Sequence, residues 1–269
     1  MATKKRNKSS LTAMRYNAGD MIWYRKQMMA LIREMNKEVS DSIVEVALEN
    51  PLAQDLANDA NPVDLFKSAL RRLSSKWIDR FISMALPTAT AMADRAGGSV
   101  DKQASAEFRK MGMTINMQWT DAMLQKKDAI IAENVSLIRS IPEKYFTEVE
   151  GMVYRSIAAG GDRKALADEI YSNFSKREGI TRRRANNIAR DQVRKSTAAL
   201  FVARQQAAGI TEGEWIHSGG GNEPRKKHVH ANGKRFKLSE GLPVGDNNEY
   251  VMPGQQINCG CTFKPILPW

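Results

Sequence analysis

The chain has 269 residues, room for one large domain or two ordinary ones. With 42% hydrophobic and 26% charged residues it is built to fold, and no run of 18 or more apolar residues is present, which excludes a membrane-spanning helix. Two cysteines exclude a disulfide-rich scaffold, the basic start MATKKRNKSS leads into no apolar signal segment, and a formal charge of +11 favours a polyanionic partner, nucleic acid above all.

Residues 1–10 read as a flexible basic arm through Lys4–Lys8, either a contact to nucleic acid or an ordinary mobile terminus. Residues 11–159 read as helical. Met21, Trp23, Met28, Leu31, Ile32, Met35 and Val39 recur at three- and four-residue steps. Ser40 or Asp41 is expected to start a short helix that Asn50-Pro51 interrupts. Pro62 opens the next helix, with Leu65, Phe66, Ala69, Leu73, Trp77 and Phe81 on one face. Leu86-Pro87 predicts a break or kink and Gly97-Gly98 a turn. The helical pattern resumes from Phe108 to Ile130 and runs to Ile141-Pro142, where Pro142 is expected to open a further helix. Most of the 14 methionines fall in this half; they fit either an adaptable partner surface or plain core filling.

After Gly160-Gly161, Asp162 is an N-cap candidate, Gly179 an expected stop and Thr181 the cap of a last helix that ends before Gly209. Ala185, Ala189, Val193, Ser196 and Leu200 form a small-residue stripe along it. Beyond Gly209 the texture changes: GEWIHS, KRFKLS and CTFKPIL read as short strands, with Asn232-Gly233 a hairpin signal. The fold class is therefore α+β, a mainly helical N-terminal region followed by a small C-terminal domain (160–269) of helices and short strands.

The charge is uneven. Residues 1–150 carry a net +3 and residues 151–269 a net +8, with +6 inside 176–195 alone. Arg182, Arg183, Arg184, Arg190 and Arg194 are the candidates for phosphate contacts, against the alternative of a solvated helix face. No aromatic residues alternate with them, so a stacking platform for single strands is not indicated.

All three histidines and both cysteines lie in the last segment. His228-Val-His230 and Cys259-Gly-Cys261 share an i, i+2 spacing, which on strands puts each pair on one face. Two such strands side by side offer two imidazoles and two thiolates to one Zn²⁺. The competing reading is structural polar residues and two buried thiols. The zinc-deaminase pattern fails, because His230 stands where a Glu is required and the cysteines are one residue too close. No serine-hydrolase elbow, zinc-protease helix or phosphate-binding loop motif occurs. A metal-dependent nuclease or toxin-like enzyme built on the His/Cys cluster remains as the alternative function.

The ordered pieces NNIARDQVRKSTAAL, AAGITEGEWIHS, PRKKHVHANGKRF and VMPGQQINCGCTFKPI resemble the phage head morphogenesis family, the Mu F-like minor head proteins. Arg225, His228, Gly233, Pro253, Asn258, Cys259 and Cys261 stand at the family's motif positions. Gly260 departs from the usual Arg between the cysteines, Asp191-Gln192 from Thr-Glu, and glycines 219–221 from an acidic residue. The resemblance implies a structural, non-enzymatic minor capsid protein in the head interior near the portal, present in the host cytoplasm during assembly. It implies portal protein, major capsid or scaffolding protein and non-specific double-stranded DNA as partners, with no membrane. No cofactor is expected beyond the possible Zn²⁺. The helical region is expected to contact the portal or capsid.

Overall fold

A computed structural model describes residues 10–49, 62–159, 163–220 and 223–268. The chain order is α1 (Ala18–Glu49), α2 (Pro62–Lys110), α3 (Asp121–Ala159), α4 (Arg163–Ala207), β1 (Glu212–Ile216), α5 (Lys226–Ala231), β2 (Arg235–Lys237), β3 (Leu242–Pro243), β4 (Tyr250–Val251) and β5 (Thr262–Ile266). The protein is mainly helical with short antiparallel strands at the C-terminal end, the expected α+β class. The expected break at Asn50-Pro51, the Gly160-Gly161 boundary, the Asp162 cap and all but Ser10 of the basic arm lie outside the described residues.

The chain divides into two compact units, each assembled from separated segments. The helical unit comprises 23–89 and 132–188. Its core is drawn from stripes at helical spacing. Met28, Ile32, Met35, Val39 and Ile43 come from α1, Phe66, Leu70, Leu73, Trp77 and Phe81 from α2, and Ile138, Ile141, Tyr145 and Val149 from α3. Phe174 and Ala185 of α4 complete it. Two hydroxyls tie α1 to α3 inside this core: Tyr24 Oη donates to Asn134 Oδ1 at 2.8 Å and Tyr145 Oη to Asn36 Oδ1 at 3.0 Å. Methionines 28, 29 and 35 are buried here and fill core.

The other unit comprises 1–22, 90–131 and 189–269, of which the described part holds the strands. β1 pairs antiparallel with both β2 and β5, giving the order β2-β1-β5. Ser10 bridges Ile266 on the outer edge of β5, and the Leu11 amide donates to the Pro265 carbonyl at 3.0 Å, so the N-terminal segment covers that edge. β3 and β4 form a separate two-stranded ladder. Trp215, Phe236 and Phe263 turn inward, and Phe263 packs on Phe201 of α4 with ring centroids 4.9 Å apart. Arg204, fully buried, bonds Asp101 and the carbonyls of Met117 and Gln118, which anchors the segment before α3. α4 ends as expected, with Gly209 left-handed at φ 80°.

Five expected interruptions are absent. α1 passes through Ser40 and Asp41, α2 through Pro87 and Gly97-Gly98, α3 through Pro142, and α4 through Gly179. Pro87 frees the Ser83 carbonyl, but both residues are exposed, so solvent can reach it while Phe81, Ala85 and Ala89 stay buried. Gly97 serves close approach instead of a turn: a Cβ there would lie 2.5 Å from the Trp119 ring. Thr181 is not a cap, because its hydroxyl bonds back to the Arg177 carbonyl one turn earlier. Asn232-Gly233 is not a two-residue hairpin either. β1 and β2 pair across a longer loop that contains α5, and Asn232 and Gly233 close it on the His217 amide and the Trp215 carbonyl.

Candidate functional site

The four family-like pieces meet at one cleft of about 780 Å³ in the strand-bearing unit. α4 contributes Arg190 and Arg194, the end of β1 leads to His217, α5 and the residue before it bring His228 and Arg225, and the loop before β5 brings Asn258, Cys259 and Cys261. The loop is fixed by polar ties. Asn258 is left-handed at φ 59°; its amide donates to Asp191 Oδ1 at 2.6 Å, and its side-chain oxygen accepts from Arg190 at 3.2 Å. Gly254 is also left-handed, and a Cβ there would meet Tyr16 Oη and Ala198 at 2.8 Å, so only glycine lets the loop lie this close to α4. Tyr16 Oη donates to the Cys261 carbonyl at 2.7 Å. Burial holds the Tyr16 phenol well above its usual range. Arg225 bonds the Ile257 carbonyl and faces Asp246, while Pro253 is buried beside the turn.

At the floor, His228, Cys259 and Cys261 are buried with their ligand atoms all within 4.8 Å of one another. His228 Nδ1 is 3.5 Å from Cys259 Sγ and 3.8 Å from Cys261 Sγ. The His228 ring stands edge-on to Trp215 at 5.3 Å. The cysteines are free thiols. A hydrogen bond from Cys261, helped by His228 and the amides of Cys261 and Gly254, lowers Cys259 below the usual thiol range against the upward push of burial. Cys261 is held well above the thiol range, first because its proton is committed to Cys259 and then by burial. The floor is thus two adjacent sulfurs facing an imidazole.

His230 does not join them. The expected strand is the helix α5, where residues two apart point to nearly opposite sides, so His228 is buried and His230 exposed. The five arginines do not act as one patch. Arg190 and Arg194 line the cleft described above. Arg182 and Arg183 line a groove of about 580 Å³ in the helical unit, together with Arg25, Lys26 and Arg33 of α1. Arg184 is half-buried and donates to Ser140 Oγ at 2.9 Å. The α1 cations and Tyr16 escape a reading by motif. The only trace of the α1 cations is that Arg33 follows Arg25 and Lys26 two turns later on an otherwise ordinary amphipathic helix.

Residues 147–264 match the family model described as Phage Mu protein F like protein. An uncharacterized protein of Haemophilus influenzae (strain Rd) is 28% identical over 252 residues, which takes in 91% of this chain and 53% of that relative. The chain therefore spans about half the length of the relative it matches. No solved structure matches. Among the described residues no helix is long and apolar enough to cross a membrane. Every residue lining the cleft falls inside the matched span, so over residues 147–264 the chain is similar to the phage Mu protein F-like family, and the similarity takes in the whole cleft.

Proposed function

We propose that this chain is a structural minor head protein of a tailed phage. It sits in the head at the portal, takes part in head assembly and in DNA packaging or delivery, and binds double-stranded DNA without regard to sequence. The family match over 147–264 carries the reading. The DNA-binding part is supported by the groove of Arg25, Lys26, Arg33, Arg182 and Arg183, whose other lining residues, Met29, Ala30, Gly179 and Asn186, carry no negative charge. Such a row engages phosphates and reads no bases.

The test is a salt titration of binding to two unrelated duplexes. Equal affinities are expected, falling with salt by a log–log slope of about 0.9 per phosphate contacted. Arg25→Glu/Arg33→Glu/Arg182→Glu/Arg183→Glu is expected to weaken binding by at least about tenfold at low salt and to flatten the slope. Unchanged affinity in that variant sinks the DNA assignment. Co-sedimentation with portal protein, and mass spectrometry of purified particles, test the head assignment; absence from particles overturns it.

The enzyme reading finds weaker support. Nucleases that use Mg²⁺ or Mn²⁺ hold them with oxygen ligands, whereas the cleft floor offers two sulfurs and one nitrogen. Intact plasmid after incubation with Mg²⁺, Mn²⁺ or Zn²⁺ is the expected result.

A further inference from the structure

We infer that His228, Cys259 and Cys261 bind one thiophilic divalent cation, Zn²⁺ by preference, with the fourth coordination position opening on the arginine-lined cleft. Zinc bonds histidine nitrogen at about 2.0 Å and thiolate sulfur at about 2.3 Å in a tetrahedron, which makes its N···S edges about 3.5 Å and its S···S edge about 3.8 Å. The observed N···S separations are 3.5 and 3.8 Å, and all three ligand atoms lie within 4.8 Å of one another. A cation placed between them finds both N···S edges close to their ligated lengths.

The surroundings favour a held ion over two idle thiols. The three side chains are buried, so each loses water that a metal replaces. His228 Nδ1 is the ring nitrogen that faces both sulfurs, and a metal bound there leaves the ring proton on Nε2. The loop carrying the cysteines is over-determined by Asn258, Gly254 and the Tyr16 bond to the Cys261 carbonyl, so the two sulfurs are placed before any ion arrives. Two sulfurs and one nitrogen select Zn²⁺ over Mg²⁺ or Ca²⁺. The three residues line the cleft together with Arg190, Arg194 and Arg225, which suits water or an anion as the fourth ligand.

The full chain, purified under reducing conditions and dialysed against metal-free buffer, is expected to retain about one Zn²⁺ by elemental analysis. Cys259→Ser/Cys261→Ser and His228→Gln are each expected to lose most of it, and His230→Gln to keep it. A variant that fails to fold leaves a second readout on the unaltered protein. Exchange of Zn²⁺ for Co²⁺ is expected to produce the intense visible bands of tetrahedral, thiolate-ligated cobalt, which added Zn²⁺ abolishes. No zinc in the protein as purified or after reconstitution, a weak octahedral cobalt spectrum, or a Cys259–Cys261 disulfide seen as a two-hydrogen mass deficit would each overturn the assignment.

Discussion

The two units reach stability by different routes. The helical unit buries long stripes of large side chains, Trp77, Phe66, Phe81, Met28 and Ile32 among them, and its helices meet mostly through those stripes. The strand-bearing unit has strands of two to five residues and depends on individual polar ties: Arg204 on Asp101, Asp191 on the Asn258 amide, Tyr16 on the Cys261 carbonyl. Short strands bury too little area to define a unique arrangement, so hydrogen bonds and left-handed turns must specify it. The family match, and the cleft, lie largely where that specification is densest.

That contrast can be broken from either side. Trp77→Ala removes a fully buried ring from the helical unit and is expected to cost about 3–5 kcal/mol, read as a lowered denaturation midpoint with faster hydrogen exchange across residues 62–89. A loss below about 1 kcal/mol would mean the stripe is not what holds that unit. In the other unit, Arg204→Met keeps much of the volume but strips the partner from Asp101 and from two carbonyls. Because Asp101 is partly exposed, the expected loss is smaller, about 2–3 kcal/mol by urea denaturation. An unchanged midpoint would show that the polar ties are dispensable there.

The smallest effect separates two adjacent glycines of α2. Gly97→Ala gains helix propensity but drives a methyl group into the Trp119 ring, with an expected net loss of about 1 kcal/mol. Gly98 is exposed and meets nothing, so Gly98→Ala is expected to stabilise by up to about 1 kcal/mol. Two changes of the same sign would refute the close-approach account of Gly97.

Legibility in the sequence follows the same division. Core stripes on α1 and α2 were visible because the helical period survives any tertiary arrangement. The helix breakers mislead because Pro and Gly report only local cost, and the cost is offset where large neighbours are buried or a bulky ring needs space, as at Pro87 and Gly97. Three of the four residues grouped for a metal converge: the i, i+2 spacing keeps Cys259 and Cys261 together, and the fold carries His228 to them across 31 positions of sequence. His230 falls away from the group because residues whose spacing suits a strand form a helix. Nothing in the sequence pairs Arg182 and Arg183 with Arg25 and Arg33, which lie some 150 positions away.

The amino-acid sequence alone determined the α+β class, the burial stripes, the basic excess of the C-terminal part and the ordered motifs of the Mu F-like family, because periodicity, charge and motif order do not depend on distant contacts. Tertiary structure alone decided which helices run unbroken, how four of the five arginines divide between two clefts while Arg184 turns to Ser140, and that His228, Cys259 and Cys261 come within bonding reach of one point. Those outcomes turn on side chains far apart in the chain competing for the same space, which no local pattern records.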